Sequence, residues 1–380
     1  MLTNEVKFVR SDLGFYMDLM QNLAPRPSSS IFIFNLLPYL SLFTVETQAF
    51  LTRNFPDYVT SLNEQHIATI RASRMRVKLF DDSSARVSGS FELFDWIKEY
   101  QEKVFILSHQ GILAPLKKML QPDLGITIYN SHIIGTTHIN VLLTGLDIDT
   151  LTKIEDYGEQ SWGKYMYSVA RDIGSYFGKM SNFPEFDPVN LNSFNYQLED
   201  EQGYYLDIKS SRFLRQIFNG KSSIAVNFSL LYFLSQINFM LFVLPKLLSK
   251  TCITLFKLKF ILLYHLASSL QKLQNYCYPR NILTSRSKDY FKTLLKDKRL
   301  KEIMSKKKLR NVLVHYSFIE NNQESGSNFA FTSFIENHFS NMSFGEIEAL
   351  VNEKLLHISI TLEEWLNWKP SESAVKPWHL

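Results

Sequence analysis

Between Ser222 and Leu248 the chain reads SSIAVNFSLLYFLSQINFMLFVLPKLL, and shortly after it KTCITLFKLKFILLYHLASSLQKLQNYCYP carries a second apolar run to Pro279. The first segment is long and apolar enough to cross a membrane, or it is an inner helix of a bundle whose other members cover it. In the first segment Asn227, Gln236 and Asn238 interrupt the run and Pro245 closes it. A bundle interior accommodates such amides more readily than a bilayer core does. The expectation is therefore a buried helix, with no membrane involved. In the second segment Leu255, Leu258, Ile261, Leu262, His265, Leu266, Ser269 and Leu273 fall near one stripe, while Lys257, Lys272 and Gln274 are expected to reach water.

The pattern stays helical downstream. One helix is expected from Ser287 through Arg299, and another from the Lys306 cluster carrying Leu309, Val312, Leu313 and Tyr316. After a polar loop, Ser343-Phe344-Gly345-Glu346 forms a capping-box pattern opening a last helix that runs through Trp365. Residues 221–380 thus read as a helical bundle. The first 220 residues are more mixed. Pro38 is expected to split the apolar segment after Ser28-Ser29-Ser30 into two elements. Phe91–Tyr100 and Ser161–Gly178 have helical spacing, and Leu124–Leu143 mixes β-branched runs with turn formers. Phe194–Ile208 suggests a small hairpin around Gln202-Gly203. The fold class expected is predominantly α: a C-terminal bundle preceded by a mixed, mainly helical α+β domain (1–220) with a sensing, targeting or regulatory role.

With 380 residues, 45% of them hydrophobic, the chain has material for about two domains with buried cores. A net charge of +4 selects no partner. Its distribution says more: Lys296, Lys298, Arg299, Lys301, Lys306, Lys307, Lys308 and Arg310 face only Asp297 and Glu302 over the same stretch. Cys252 and Cys277 have no Cys or His at zinc-ligand spacing, so neither a disulfide framework nor a structural metal is indicated. A cytoplasmic protein fits, and the N-terminus lacks the apolar core of a signal peptide.

The stretch KKKLRNVLVHY, Lys306–Tyr316, sets Arg310 five positions before His315. On a helix these lie about 140° apart around the axis and about 7.5 Å apart along it, so they converge only on a common groove. The chemistry suits RNA cleavage. The substrate supplies its own nucleophile, the 2′-hydroxyl; histidine exchanges protons near neutrality, and arginine offers a planar fork to phosphate oxygens. No metal or other cofactor is required. The spacing alone is a weak signal, and the conjunction with Asn311, the apolar Val312–Val314 and the lysine-rich approach strengthens it. His265, His132 and His138 read as structural, and Lys306, Lys307 and Lys308 as a solvated face able to contact RNA.

Arg310-Asn311-Val312-Leu313-Val314-His315 resembles the signature of the HEPN superfamily, an arginine and a polar residue followed after three positions by histidine. The preceding FKLKFILLYHLASSLQKLQ is also similar to the long earlier helix of some HEPN modules. The resemblance covers roughly residues 221–368. It implies a helical bundle that homodimerises with its motif helices face to face, and a metal-independent endoribonuclease of toxin–antitoxin or antiviral-defence type. Arg310 and His315 would be catalytic, Asn311 would position His315 or the phosphate, and an antitoxin or defence partner would restrain the enzyme. The alternative it allows is a non-catalytic nucleotide- or protein-binding module. Toxins partnered by small nucleotidyltransferases usually carry a tyrosine two residues beyond the histidine; here Ser317 stands there and Tyr316 is adjacent.

Overall fold

The computed structural model describes residues 3–23, 29–58, 62–81, 87–102, 121–146, 159–186, 198–219, 223–248, 252–316, 331–370 and 376–377. Within them the chain is predominantly α, with one small sheet. The first part contributes α1 (Asn4–Leu23), α2 (Ser29–Asn54), α3 (Glu64–Met75) with a 3₁₀ turn at Arg76–Lys78, and α4 (Val87–Glu102). Strands β1 (Leu124–Tyr129) and β2 (His132–Thr136) follow, then α5 (Thr137–Thr144), α6 (Glu159–Ser181), β3 (Gly203–Ile208) and α7 (Ser210–Gln216). The remainder is α8 (Ile224–Asn238), α9 (Ile253–Cys277), α10 (Ser285–Leu295), α11 (Lys298–Ser305), α12 (Lys307–His315), α13 (Phe331–Glu336), α14 (Phe344–Leu366) and the short β4 (Lys376–Pro377).

The apolar run beginning at Ser222 is an inner helix. Ser223 caps α8 through its side chain, and every residue from Ala225 to Asn238 is buried. A π-turn at Phe239–Val243 and a 3₁₀ turn containing Pro245 end the run. Two spans, Ile224–Leu247 and Ile253–Cys277, are long and apolar enough to cross a bilayer, yet 83% of each apolar window is already covered by the rest of the protein. The amide NH₂ groups that interrupt α8 find acceptors inside the protein, as buried donors generally do, while Asn227 Oδ1 is buried with no hydrogen-bond partner among the described residues. Asn227 donates to the Leu214 and Ile217 carbonyls, Gln236 to Asn35, and Asn238 to the Ile133 carbonyl and Glu363.

The sheet has strand order β2-β1-β3-β4, antiparallel throughout. Asn130 and Ser131, at φ 46° and 67°, make the tight turn between β1 and β2. Two consecutive positive-φ residues match the twist of a two-residue hairpin. Among the described residues the expected hairpin at Gln202-Gly203 does not form: Gly203–Ile208 is a strand, but its partners are β1 and β4, and Gln202 belongs to a 3₁₀ turn. Residues 194–197 lie outside the described residues.

Three other expectations change. Pro38 sits inside α2 without ending it. The lost backbone bond costs about 3 kcal/mol, and burial of Leu36, Leu37, Tyr39 and Leu40 around it offsets that. The helix expected to reach Arg299 stops at Leu295, because Asp297 accepts from the Arg299 and Leu300 amides and starts α11. Lys257, expected to reach water, is 3% exposed and paired with Asp12 of α1. The capping box at Ser343 and Glu346 forms as expected and opens α14.

One buried apolar cluster includes Leu13 and Phe43 from the first part of the chain and Leu263, Leu313 and Leu362 from the last. Elements on either side of position 220 therefore share a core. Contacts of α12 with both α2 and α9 set the surroundings of the Arg310/His315 motif.

Candidate functional site

Helix α12 is nine residues long and docks through Leu309, Val312, Leu313 and Val314, all buried. It ends at Tyr316, whose left-handed backbone (φ 52°, ψ 28°) still lets its amide donate to the Val312 carbonyl at 3.0 Å. His315 is thus the last helical residue, and its side chain reaches the surface.

There it meets Glu46. His315 Nδ1 lies 2.7 Å from Glu46 Oε2, and the other carboxylate oxygen, Oε1, accepts from Arg74 Nε at 2.7 Å and from Arg74 Nη2. The Glu46 side chain is 8% exposed and that of His315 41% exposed, so the carboxylate is inside and the imidazole reaches out. Burial would raise the Glu46 carboxyl, but the His315 hydrogen bond and the Arg74 charge outweigh it and hold Glu46 below the ordinary value. An ionised Glu46 can only accept, so the hydrogen on Nδ1 points at it. In the neutral imidazole Nε2 then carries the lone pair. Nε2 has no hydrogen bond among the described residues.

Arg310 is half-buried on the adjoining flank. Its guanidinium carbon lies 5.2 Å from the centroid of the Tyr264 ring on α9, and its buried Nε has no hydrogen-bond partner among the described residues. Nor does a described carboxylate form an ion pair with it. Next to Tyr264, His265 bonds through Nδ1 to Asp81 at 2.9 Å, and Asp81 also takes Ser268 (2.6 Å) and Lys272 (2.7 Å). Burial holds His265 below its ordinary value even against the pull of Asp81, and the charges of Arg310 and Lys78 add to this. His265 is a buried tie between α9 and the segment after the Arg76–Lys78 turn.

The structure separates the three lysines. Lys306 lies 3.6 Å from Glu302 with its ammonium 4.8 Å from the Phe339 ring centroid, whereas Lys307 and Lys308 are exposed. Asn311 is half-buried and makes no hydrogen bond to His315. The orienting contact comes from Glu46. His132 pairs with Glu363 at 2.6 Å and stacks on Phe242, and the buried His138 is pushed down to about 4 by desolvation.

A second constellation escaped the sequence reading. His66 Nδ1 lies 2.6 Å from Asp172 and its Nε2 2.9 Å from Ser168 Oγ, the order of contacts of a nucleophile–base–carboxylate chain. Ser168, however, also donates to the Tyr165 carbonyl of its own helix at 2.7 Å. A neighbouring cleft is lined by Leu62, Asn63, Asp172, Ser175, Tyr176 and Lys179, which places it beside the carboxylate and not the hydroxyl. The chain of contacts ties α3 to α6.

Glu46 and Arg74 also went unread, although one signal was present. Glu46 is the sole charged residue between Ser29 and Thr52, in an otherwise apolar helix. A lone charge so placed needs a partner in the interior. Comparisons of the chain with protein-family models, curated proteins and solved structures find no match.

Proposed function

We propose that the protein is a metal-independent endoribonuclease of HEPN type, cleaving RNA at a site formed by Arg310 and His315 and completed by the same pair from a second copy of the chain. One observation carries this reading. An imidazole held at 2.7 Å by a buried carboxylate, with its other nitrogen unengaged, shares a short helix with a guanidinium that has no anionic partner among the described residues. Such a pair suits a phosphodiester: the guanidinium meets the phosphate oxygens and Nε2 exchanges the proton.

In the reaction, His315 Nε2 takes the proton of the 2′-hydroxyl, whose oxygen attacks the adjacent phosphorus. The bond to the 5′-oxygen breaks, leaving a 2′,3′-cyclic phosphate and, after protonation, a 5′-hydroxyl. In an in-line displacement the attacking 2′-oxygen and the departing 5′-oxygen lie on opposite sides of the phosphorus, so one imidazole does not reach both. A homodimer with two facing α12 helices supplies both groups. Arg310 stabilises charge on the phosphorus oxygens, Asn311 contacts the phosphate, and the exposed Lys307 and Lys308 draw RNA in. Glu46 is a positioning residue. A cytoplasmic site of action, and an antitoxin or defence partner that restrains the enzyme, belong to the same proposal.

The test compares wild type, His315→Ala and Arg310→Lys on RNA in EDTA, with product ends identified and melting curves recorded. His315→Ala is expected to keep its fold and lose on the order of 10² to 10⁴ in rate. Arg310→Lys keeps charge but loses the planar fork, and falls as well. A folded His315→Ala protein as active as wild type refutes the assignment. Wild type that binds RNA without cutting it leaves the binding-module alternative, and a monomer by sedimentation at micromolar concentration removes the composite site.

A further inference from the structure

Tyr316, the residue after His315, belongs to a buried polar cluster. Asp12 of α1 is 0% exposed, Lys257 of α9 3% and Tyr316 2%. Lys257 Nζ donates to Asp12 Oδ2 at 2.5 Å and to Tyr316 Oη at 2.9 Å; Tyr316 Oη donates to Asp12 Oδ2 at 2.7 Å. Thr254 donates to the other Asp12 oxygen at 2.7 Å, so both carboxylate oxygens are engaged. The Lys257 ammonium also lies 4.2 Å from the Tyr316 ring centroid, which binds the ring as well as its hydroxyl.

Such a cluster is not needed for stability as such. Apolar residues of similar size replace buried ion pairs at little or no cost, because desolvation consumes most of the attraction. What an ion network does better than a greasy contact is fix one geometry, since its hydrogen bonds have directions and their loss leaves buried charge behind. The position of this one gives that property a use. Tyr316 immediately follows His315 and holds a left-handed backbone that is unfavourable for a residue with a Cβ. Something must hold it there. Tyr316 also packs against Phe43 of α2, the helix that carries Glu46, the group that holds the imidazole.

We propose that Asp12, Lys257 and Tyr316 form a positioning lock that fixes the end of α12 and thereby the direction of His315 toward its substrate. This rests on the ribonuclease reading for its consequence and on the geometry for its existence. It also makes α1 part of the site's construction: the first helix reaches the motif through Asp12, as the second does through Glu46. Tyr316→Phe removes the hydroxyl and its two bonds while keeping the ring, so the pull on the α12 terminus goes and the packing against Phe8 and Phe43 stays.

The experiment uses the full chain, ¹⁵N-labelled at histidine, with the His315 resonances assigned by their disappearance in His315→Ala. A proton held between imidazole Nδ1 and a carboxylate resonates far downfield, and it reports the His315–Glu46 contact whether or not RNA is cut. In folded Tyr316→Phe this signal is expected to broaden or move, with kcat lower by about tenfold to 10²-fold and KM nearly unchanged. An unmoved signal together with an unchanged kcat overturns the proposal, even if the melting temperature falls. If wild type shows the signal, the variant loses it and neither cuts RNA, the lock stands and the ribonuclease reading fails. Should Tyr316→Phe not fold, the double exchange Asp12→Asn with Lys257→Gln, which leaves no lone buried charge, is read in the same way. Failure of both variants to fold makes the cluster purely structural and overturns the proposal.

Discussion

Replacing Glu46 by Gln removes one charge and almost no volume from a position that joins three elements: α2, Arg74 of α3 and His315 of α12. The Glu46 side chain is 8% exposed and that of Arg74 16%, so this is a largely buried ion pair. Breaking such a pair outright costs about 3–5 kcal/mol. The amide keeps one acceptor oxygen for Arg74, and Arg74 retains some access to water, which together reduce the expected loss to about 2 kcal/mol. In a chain of this length that is a melting-temperature drop of roughly 2–3 °C. The effect on chemistry is larger and has a different cause. With its oxygen turned to Arg74, the amide presents N–H to His315 Nδ1, which must then accept. The hydrogen moves to Nε2, and the nitrogen that should act as base is occupied. Single-turnover cleavage of a short RNA in EDTA, at a temperature where circular dichroism shows both proteins folded, is expected to fall on the order of 10²-fold or more. A rate that falls only with the unfolded fraction, or not at all, refutes the orienting role and leaves Glu46 as a tie between helices.

Changing Lys307 and Lys308 together to Gln should weaken RNA binding by His315→Ala protein and reduce the slope of log affinity against log salt by up to about 1.4–1.8 if each lysine neutralises a phosphate; adding Lys306→Gln should change little, because Lys306 faces Glu302. Acid should destabilise the fold. Burial would raise both Glu46 and Asp81, yet their hydrogen bonds and charged partners hold both below the ordinary carboxylate value, so the stability they add is complete above about pH 4.5 and drains as pH falls below it. Asp18, pushed by burial up to about 6, acts oppositely between about pH 4 and 6; urea midpoints across pH in wild type and Asp18→Asn separate the two. Gly145→Ala should destabilise by more than about 1 kcal/mol, since φ is +69° and a Cβ would come within 2.5 Å of the Ala72 backbone; an unchanged melting curve would mean that the α3–α5 contact is looser than described.

The helical class, the inner position of α8, the capping box of α14 and the placement of Arg310 and His315 on one helix were legible in the sequence, because each depends on residues within a turn or two of one another. Periodicity states which face of a helix is covered. It does not state by what. His315 meets Glu46 across 269 positions, Tyr316 meets Asp12 across 304, and Lys257 meets Asp12 across 245. In sequence a lysine beside an apolar stripe looks the same whether its ammonium reaches water or a buried carboxylate, so Lys257 was placed at the surface. Pro38 misled for a related reason: its local cost is fixed, and the burial that outweighs it comes from elsewhere in the fold. The motif was therefore written locally, while the groups that contact it, Asp12, Glu46 and Lys257, came from distant positions through packing that no local pattern encodes.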